Sequence, residues 1–198
     1  MIVLADNDIV HKLACCELLP EFQRWLKVPP TEVWVLPALQ FVVRRKLKGD
    51  ASAMAGFEAF LRNVRPIPIA QLSTLSRFEA SDVGERQLIA VLVDKKEVTQ
   101  LITGDKRALK LIGTLTAADS GLALRLGEAR IDCLESVMLG MISAFGFDAI
   151  NAKVLPGLKH DGVLGLSFGA RRTQAHATEA LKSYLGAVRA DAPFVANG

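Results

Sequence analysis

The chain has 198 residues, 51% hydrophobic and 23% charged, which supplies one sizeable core and is too short for two full-sized domains. That composition excludes disordered, collagen-like and coiled-coil chains. Lys and Arg number 24 against 21 Asp and Glu, so the formal charge of +3 neither defines a nucleic-acid partner nor rules one out.

No apolar run reaches the roughly 18 residues that span a bilayer. The densest stretch, Leu134 to Phe147, is broken by Glu135, Ser136 and Ser143. The start, MIVLADND, has no basic region and carries aspartates where a leader would be apolar, so no secretory signal is expected. Cys15, Cys16 and Cys133 are odd in number and include an adjacent pair, a poor disulfide framework. A cytoplasmic location with reduced thiols is the expectation. The histidines His11, His160 and His176 show no metal-ligand spacing along the chain, and a structural zinc site is not expected.

Ile2 to Ala5 reads as a buried strand of a parallel sheet, ending in Asp6-Asn7-Asp8. Ile9, Val10, Leu13 and Ala14 then follow helical spacing, and after Pro20 a second short helix carries Phe22, Trp25 and Leu26. Pro29-Pro30 is a loop, and Val33 to Leu36 a second strand. Pro37 suits a first helical position, with the helix ending at Gly49. Asp50 can cap the next helix, which runs to about Val64. Pro66-Ile67-Pro68-Ile69 is extended and suits a sheet edge, because proline donates nothing to a central ladder. Ser81-Asp82-Val83-Gly84-Glu85 opens a helix with Asp82 and Glu85 at capping-box spacing. Val98 to Ile102 is a strand, Thr103-Gly104-Asp105 ends it, and Lys106 to Ile112 starts a helix. Helices over Ala117 to Glu128 and Leu134 to Phe145 flank a short strand at Arg130 to Cys133. Beyond residue 146 the pattern changes to loops, a helix at Arg171 to Arg189 and a frayed tail from Ala190. Alternating strands and helices predict an α/β protein with a parallel sheet of four to five strands covered on both faces. The domain division expected is 1–146, followed by a helical C-terminal extension, 147–198.

Ligands of open parallel sheets bind beyond the carboxyl ends of the strands. Asp6 and Asp8 follow the first strand, Asp105 follows Val98–Ile102, and Glu85 opens the helix before that strand. Such acids gathered at one edge make a hard-oxygen site suited to Mg2+ or Mn2+, ions that can activate water on a phosphodiester. The simpler reading is that Asp8, Asp82 and Asp105 only cap helices, with Glu85 the reciprocal partner of Asp82. Their joint placement favours the site, because acids so gathered repel one another unless a cation joins them.

Three segments carry a family resemblance: IVLADNDIVHKLA (Ile2–Ala14), DVGERQLIAVL (Asp82–Leu92) and QLITGDKRALKLI (Gln100–Ile112). In their order and spacing they resemble the signature stretches of PIN-domain proteins, over roughly residues 1 to 135. The resemblance implies a three-layer α/β/α sandwich. It also implies a metal-dependent ribonuclease acting on single-stranded RNA, as in the toxins of bacterial toxin–antitoxin pairs. By position Asp6, Glu85 and Asp105 would be catalytic and hold the Mg2+ or Mn2+, with Asp8 a supporting ligand. The implied partners are RNA, an antitoxin protein and a second copy of the chain. One departure stands out: many members have a glutamate on the helix after the second strand, where this chain offers Gln40 as the nearest polar side chain.

Lys106 and Arg107 are the basic residues nearest the acids and the candidates for contacts to the scissile phosphate, with Arg44 and Arg45 as an outer rim. The simpler reading of Arg44, Arg45, Lys46 and Lys48 is a solvated helix end favoured by the macrodipole. Trp25 and Trp34 read as core. Two other functions fit in part. A PIN-like module that binds RNA or protein without strong catalysis suits the missing helix acid. A phosphohydrolase of the haloacid-dehalogenase type suits Asp6-Asn7-Asp8, but no second acid follows Gly104-Asp105, where Ala108, Leu109 and Lys110 stand.

Overall fold

Ile2–Ala5 is an unbroken apolar run, and it forms β1, the central strand of a five-stranded parallel sheet. The computed structural model describes residues 1–78 and 82–198, so Ser81 of the Ser81–Glu85 segment lies outside the described residues. In chain order β1 leads to α1 (Asn7–Cys15), α2 (Leu19–Leu26), β2 (Val33–Val35), α3 (Leu39–Lys46), α4 (Ala51–Leu61) and β3 (Arg65–Pro66). There follow α5 (Leu72–Leu75), α6 (Val83–Asp94), β4 (Val98–Ile102), α7 (Lys106–Ala118), α8 (Ser120–Gly127), β5 (Arg130–Asp132) and α9 (Leu134–Phe145). The last elements are α10 (Phe147–Val154), a 3-10 turn (Leu155–His160), α11 (Gly162–Ser167) and α12 (Gln174–Asp191).

The strands run in the order β3-β2-β1-β4-β5, all parallel. The chain winds outward from β1 through β2 to β3, then crosses back to place β4 on the other side of β1. The strand order therefore reverses between β1 and β4, and their carboxyl ends diverge into the crevice where open α/β sheets bind ligands. Side chains alternate across β1. Val3 and Ala5 join Val33, Val35 and Ile102 in one core layer with α1 to α4 and α9. Leu4 joins Leu101 and Ile131 in the other, under α6 to α8. Each large apolar side chain so buried contributes about 1.5–3 kcal/mol relative to exposure. This is the three-layer α/β/α sandwich.

Several boundaries differ from the sequence reading. Asp6, not Asp8, caps α1, because its extended backbone directs the carboxylate onto Ile9 N–H. α3 begins at Leu39, after a turn at Pro37-Ala38. α7 continues to Ala118, and Asp119 then ends it and caps α8 by accepting from Leu122 N–H. Of the stretch Pro66–Ile69, Pro66 pairs with Val35 at the sheet edge and Ile67 N–H donates to the Val35 carbonyl at 2.9 Å. The segment after residue 146 shares the core of the sandwich: Ile150, Val154, Leu164, Phe168 and Leu181 pack with Val3, Ile9 and Leu13. The tail is docked rather than frayed, since Val195 bridges Ile131 and Ala196 N–H donates to the Ile131 carbonyl at 2.8 Å. That bond covers the free edge of β5. Trp25 and Trp34 are half-buried at the margin of the core. Among the described residues, no helix is long and apolar enough to cross a membrane.

Candidate active site

Asp6 is the first residue beyond β1, and its backbone N–H still bonds to the Ile102 carbonyl at 3.1 Å, continuing the ladder to β4. Its side chain is buried between the two strand ends. Oδ1 accepts from Ile9 N–H at 2.7 Å, and Oδ2 accepts from the Thr103 hydroxyl and from Gly104 N–H at 3.0 Å. Burial pushes its pKa up to about 6; the bonds from Thr103 and Ile9 pull it down and the charge of Asp8 pushes it further up.

Asp8 lies in the first turn of α1, against the same strand-end turn. A side chain at Gly104 would run into its carboxylate, so glycine there lets the turn after β4 close on α1. The carboxylate is ion-paired to Lys12 at 2.6 Å, and Lys12 reaches Asp161 at 2.8 Å. Burial disfavours the Lys12 ammonium, but its two carboxylate partners outweigh that and hold it charged.

Glu85 and Asp105 form the second acid pair. Asp105 caps α7, its Oδ1 accepting from Arg107 N–H at 2.7 Å and Ala108 N–H at 3.3 Å. Glu85 stands in the first turn of α6, whose cap Asp82 accepts from Glu85 N–H at 2.9 Å. The Glu85 carboxyl is hydrogen-bonded to Asp105. Partial burial, that bond and the Asp105 charge push Glu85 up to about 8. Burial works against the Asp105 carboxylate, but the Glu85 bond and the two helix N–H groups hold it below its ordinary value. Cap and site are the same residues, so the helix-start reading of Asp105 and Glu85 and the chemical one coexist.

The basic candidates separate. Arg107 is exposed beside Asp105 and has no ion-pair partner among the described residues. Lys106 turns the other way: its Nζ lies 2.9 Å from Glu135 Oε1 and 5.6 Å from the centre of the Tyr184 ring. Arg44 forms a two-point pair with Glu58 at 2.6 and 3.0 Å and touches Gln40 Oε1 at 3.4 Å. Arg45 is exposed at the end of α3.

Sequence reasoning passed over Thr103, whose hydroxyl joins Asp6 to the backbone N–H of Asp105. It also passed over Glu135, noted only as a break in an apolar stretch. Glu135 is 1% exposed, and neither oxygen has a well-aligned N–H or O–H donor among the described residues. Its position just after β5 was the available signal. At the opposite, amino edge of the sheet, a groove of about 490 Å³ is lined by Trp25, Thr99, Gln100 and Arg130, away from the acids.

His11 and Cys15 on α1 and His160 at the end of the Leu155–His160 turn also come together, their donor atoms all within 4.8 Å. The sequence reading overlooked the i,i+4 spacing of His11 and Cys15 on α1, and it had no access to His160, which arrives by tertiary packing. Compared with known proteins, the chain matches no family model, no curated protein and no solved structure.

Proposed function

We propose that the protein is a magnesium- or manganese-dependent endoribonuclease of PIN type, hydrolysing phosphodiester bonds of single-stranded RNA. The observation that carries this reading is the placement of two acid pairs at the β1/β4 reversal, Asp6 and Asp8 against Gly104 on one side of the Thr103–Asp105 turn and Glu85 with Asp105 on the other. The order of the three PIN-like segments, which carry these same acids, also supports it.

The donor type suits a hard cation, but among the described residues no three of these carboxylates have oxygens all within 4.8 Å of one another, so a cation would have to draw the two pairs together. Their donors are carboxylate oxygens, the set Mg2+ and Mn2+ prefer. Asp6 and Glu85 both retain protons above their ordinary range, where a divalent ion would take the protons' place. Such an ion, when bound, acidifies a water and neutralises charge on phosphoryl oxygens. Asp105, ionised on the α7 N-terminus, and Asp6, fixed by its donors, supply the best-ordered ligands. Glu85 would add a further carboxylate, and Asp8 would add charge from the other side of Gly104. Arg107, exposed beside Asp105, would meet an RNA phosphate. A toxin paired with an antitoxin protein is the setting the resemblance suggests, with the antitoxin covering this edge.

The binding-module reading draws on the Asp8–Lys12 pair and on Gln40 standing where family members often carry an acid. A nucleophilic Asp6 of the dehalogenase type is disfavoured, because no second acid follows Gly104-Asp105, where Ala108, Leu109 and Lys110 stand. The test is cleavage of a labelled single-stranded RNA with Mg2+ or Mn2+, with and without EDTA. Metal-dependent cleavage is expected. Cleavage that persists in EDTA overturns the metal mechanism. RNA binding without cleavage at millimolar Mn2+ replaces the nuclease with the binding module.

A further inference from the structure

We propose that His11, Cys15 and His160 form a second metal site, for a zinc-type cation, separate from the acid edge. His11 and Cys15 are four apart on α1 and so share one helix face. Cys15 Sγ lies 3.5 Å from His11 Nε2. A tetrahedral ion with bonds of about 2.3 Å to sulfur and 2.0–2.1 Å to nitrogen has an S···N edge of about 3.6 Å. The two side chains therefore already stand at the separation such an ion requires.

His160 supplies the third donor, its ring edge-on to His11 with centroids 5.8 Å apart. Its position is built in from both sides. The next residue, Asp161, is ion-paired to Lys12 at 2.8 Å and caps α11 through Val163 and Leu164 N–H. Earlier in the turn, Gly157 sits so close to α1 that a side chain there would strike Cys16 Sγ and the Cys15 carbonyl. Lys12 and Gly157 thus hold the turn on the helix face that carries His11 and Cys15.

The donors are two imidazoles and a thiol, the soft and borderline set that selects zinc over magnesium. Burial, Lys46 and His160 hold His11 neutral, with its pKa lowered to about 4, so no proton is displaced from it at pH 7. Burial and the charge of Asp50 push the Cys15 thiol up to about 11, and Lys159 and Lys46 pull it down. Binding displaces the Cys15 thiol proton to solvent as the sulfur–metal bond forms. Three protein ligands leave the fourth position to water, the pattern of open zinc sites.

The test is titration of the reduced, metal-free full chain with Co2+, followed by its thiolate-to-cobalt charge-transfer absorption, then back-titration with Zn2+. We expect one equivalent to give the band, Zn2+ to abolish it, and millimolar Mg2+ to leave it in place. Cys15→Ser should remove the band. His160→Gln, at the most exposed ligand, should weaken Co2+ binding about 10-fold or more without unfolding the chain. Cys16→Ala should leave the band. Absence of the band in the native chain, or binding unchanged in His160→Gln, overturns the site, as does a band that follows Cys16 instead of Cys15. Magnesium-dependent RNA cleavage plays no part in these readouts, so this site and the nuclease reading can fail independently.

Discussion

The Thr103 hydroxyl donates to Oδ2 of Asp6 and accepts the backbone N–H of Asp105 at 3.1 Å, so one side chain ties the two ends of the acid edge together. Thr103 is 3% exposed, and its loss leaves a buried carboxylate short of a donor. Thr103→Val keeps the shape and removes the hydroxyl. It should cost about 1–3 kcal/mol in urea unfolding, and it should raise the Asp6 pKa further. Thr103→Ser keeps the hydroxyl and should recover most of the loss. Equal stability of Val and wild-type proteins would mean that this bond does not anchor Asp6.

Asp105 and Glu85 have caps to make as well as chemistry to perform, and neutral isosteres separate the two roles. Asn is about as good an N-cap as Asp, and Gln serves a capping box as well as Glu. Asp105→Asn and Glu85→Gln should therefore keep the melting temperature in EDTA close to that of the wild type. Mn2+ affinity by calorimetry, and RNA cleavage, should fall by about 10–100-fold or more, since even outer-shell losses commonly reach that range. Unchanged Mn2+ affinity in both variants would reduce these residues to helix starts.

The acids also predict how stability follows pH. Asp6 and Glu85 are both raised in the folded chain, to about 6 and about 8, so the native state binds protons more tightly than the unfolded one. Their contribution is fully present below their ordinary values and is lost as pH rises through about 6 and then about 8. Asp105, held low, works in the opposite sense: its contribution is present above its ordinary value and lost in acid. In EDTA the melting temperature should decline most clearly between pH 6.5 and pH 8.5, because below that window His11, lowered to about 4, gains stability as pH rises and opposes Asp6. Excess Mn2+ should reverse that decline, with a stabilisation that grows with pH. Glu85→Gln should flatten the upper part of the EDTA profile. A stabilisation by Mn2+ that does not change across this range would argue against proton displacement from Asp6 and Glu85.

The central frame was legible because its signals are local. Ile2–Ala5 is a short apolar run closed by an aspartate, and Thr103-Gly104-Asp105 is a strand end followed by a cap; both patterns reach their meaning within a few residues. What was not legible depends on partners distant in the chain. The pairing of Glu85 with Asp105 needs α6 and α7 side by side. The approach of His160 to α1 needs the Leu155–His160 turn folded back. The docking of Ala196 on Ile131 needs an edge strand that sequence alone leaves open. The cap of α1 moved from Asp8 to Asp6 for a local reason that spacing cannot resolve, since either aspartate precedes the apolar periodicity.

The last prediction separates the two basic residues that follow Asp105. Lys106 and Arg107 are adjacent and exposed, and spacing gave both the same role at the phosphate. In the structure Lys106 is the counter-charge of Glu135, a carboxylate 1% exposed at the start of α9, while Arg107 has no ion-pair partner among the described residues. Lys106→Met removes the charge and keeps the aliphatic stem over Tyr184. It should cost on the order of 1–2 kcal/mol, below the 3–5 kcal/mol of a fully buried pair because Lys106 is half exposed. Adding Glu135→Gln to Lys106→Met removes the stranded charge and should restore most of that loss. Arg107→Ala should leave unfolding within about 0.5 kcal/mol, as surface changes usually do. It should nonetheless weaken single-stranded RNA binding and reduce the salt dependence of that binding by about one phosphate contact. Denaturant titration of the four proteins, with RNA affinity measured at several salt concentrations, reads both effects. If Lys106→Met lowers RNA affinity as much as Arg107→Ala and leaves stability unchanged, Lys106 faces the RNA and its pairing with Glu135 carries no weight in the fold.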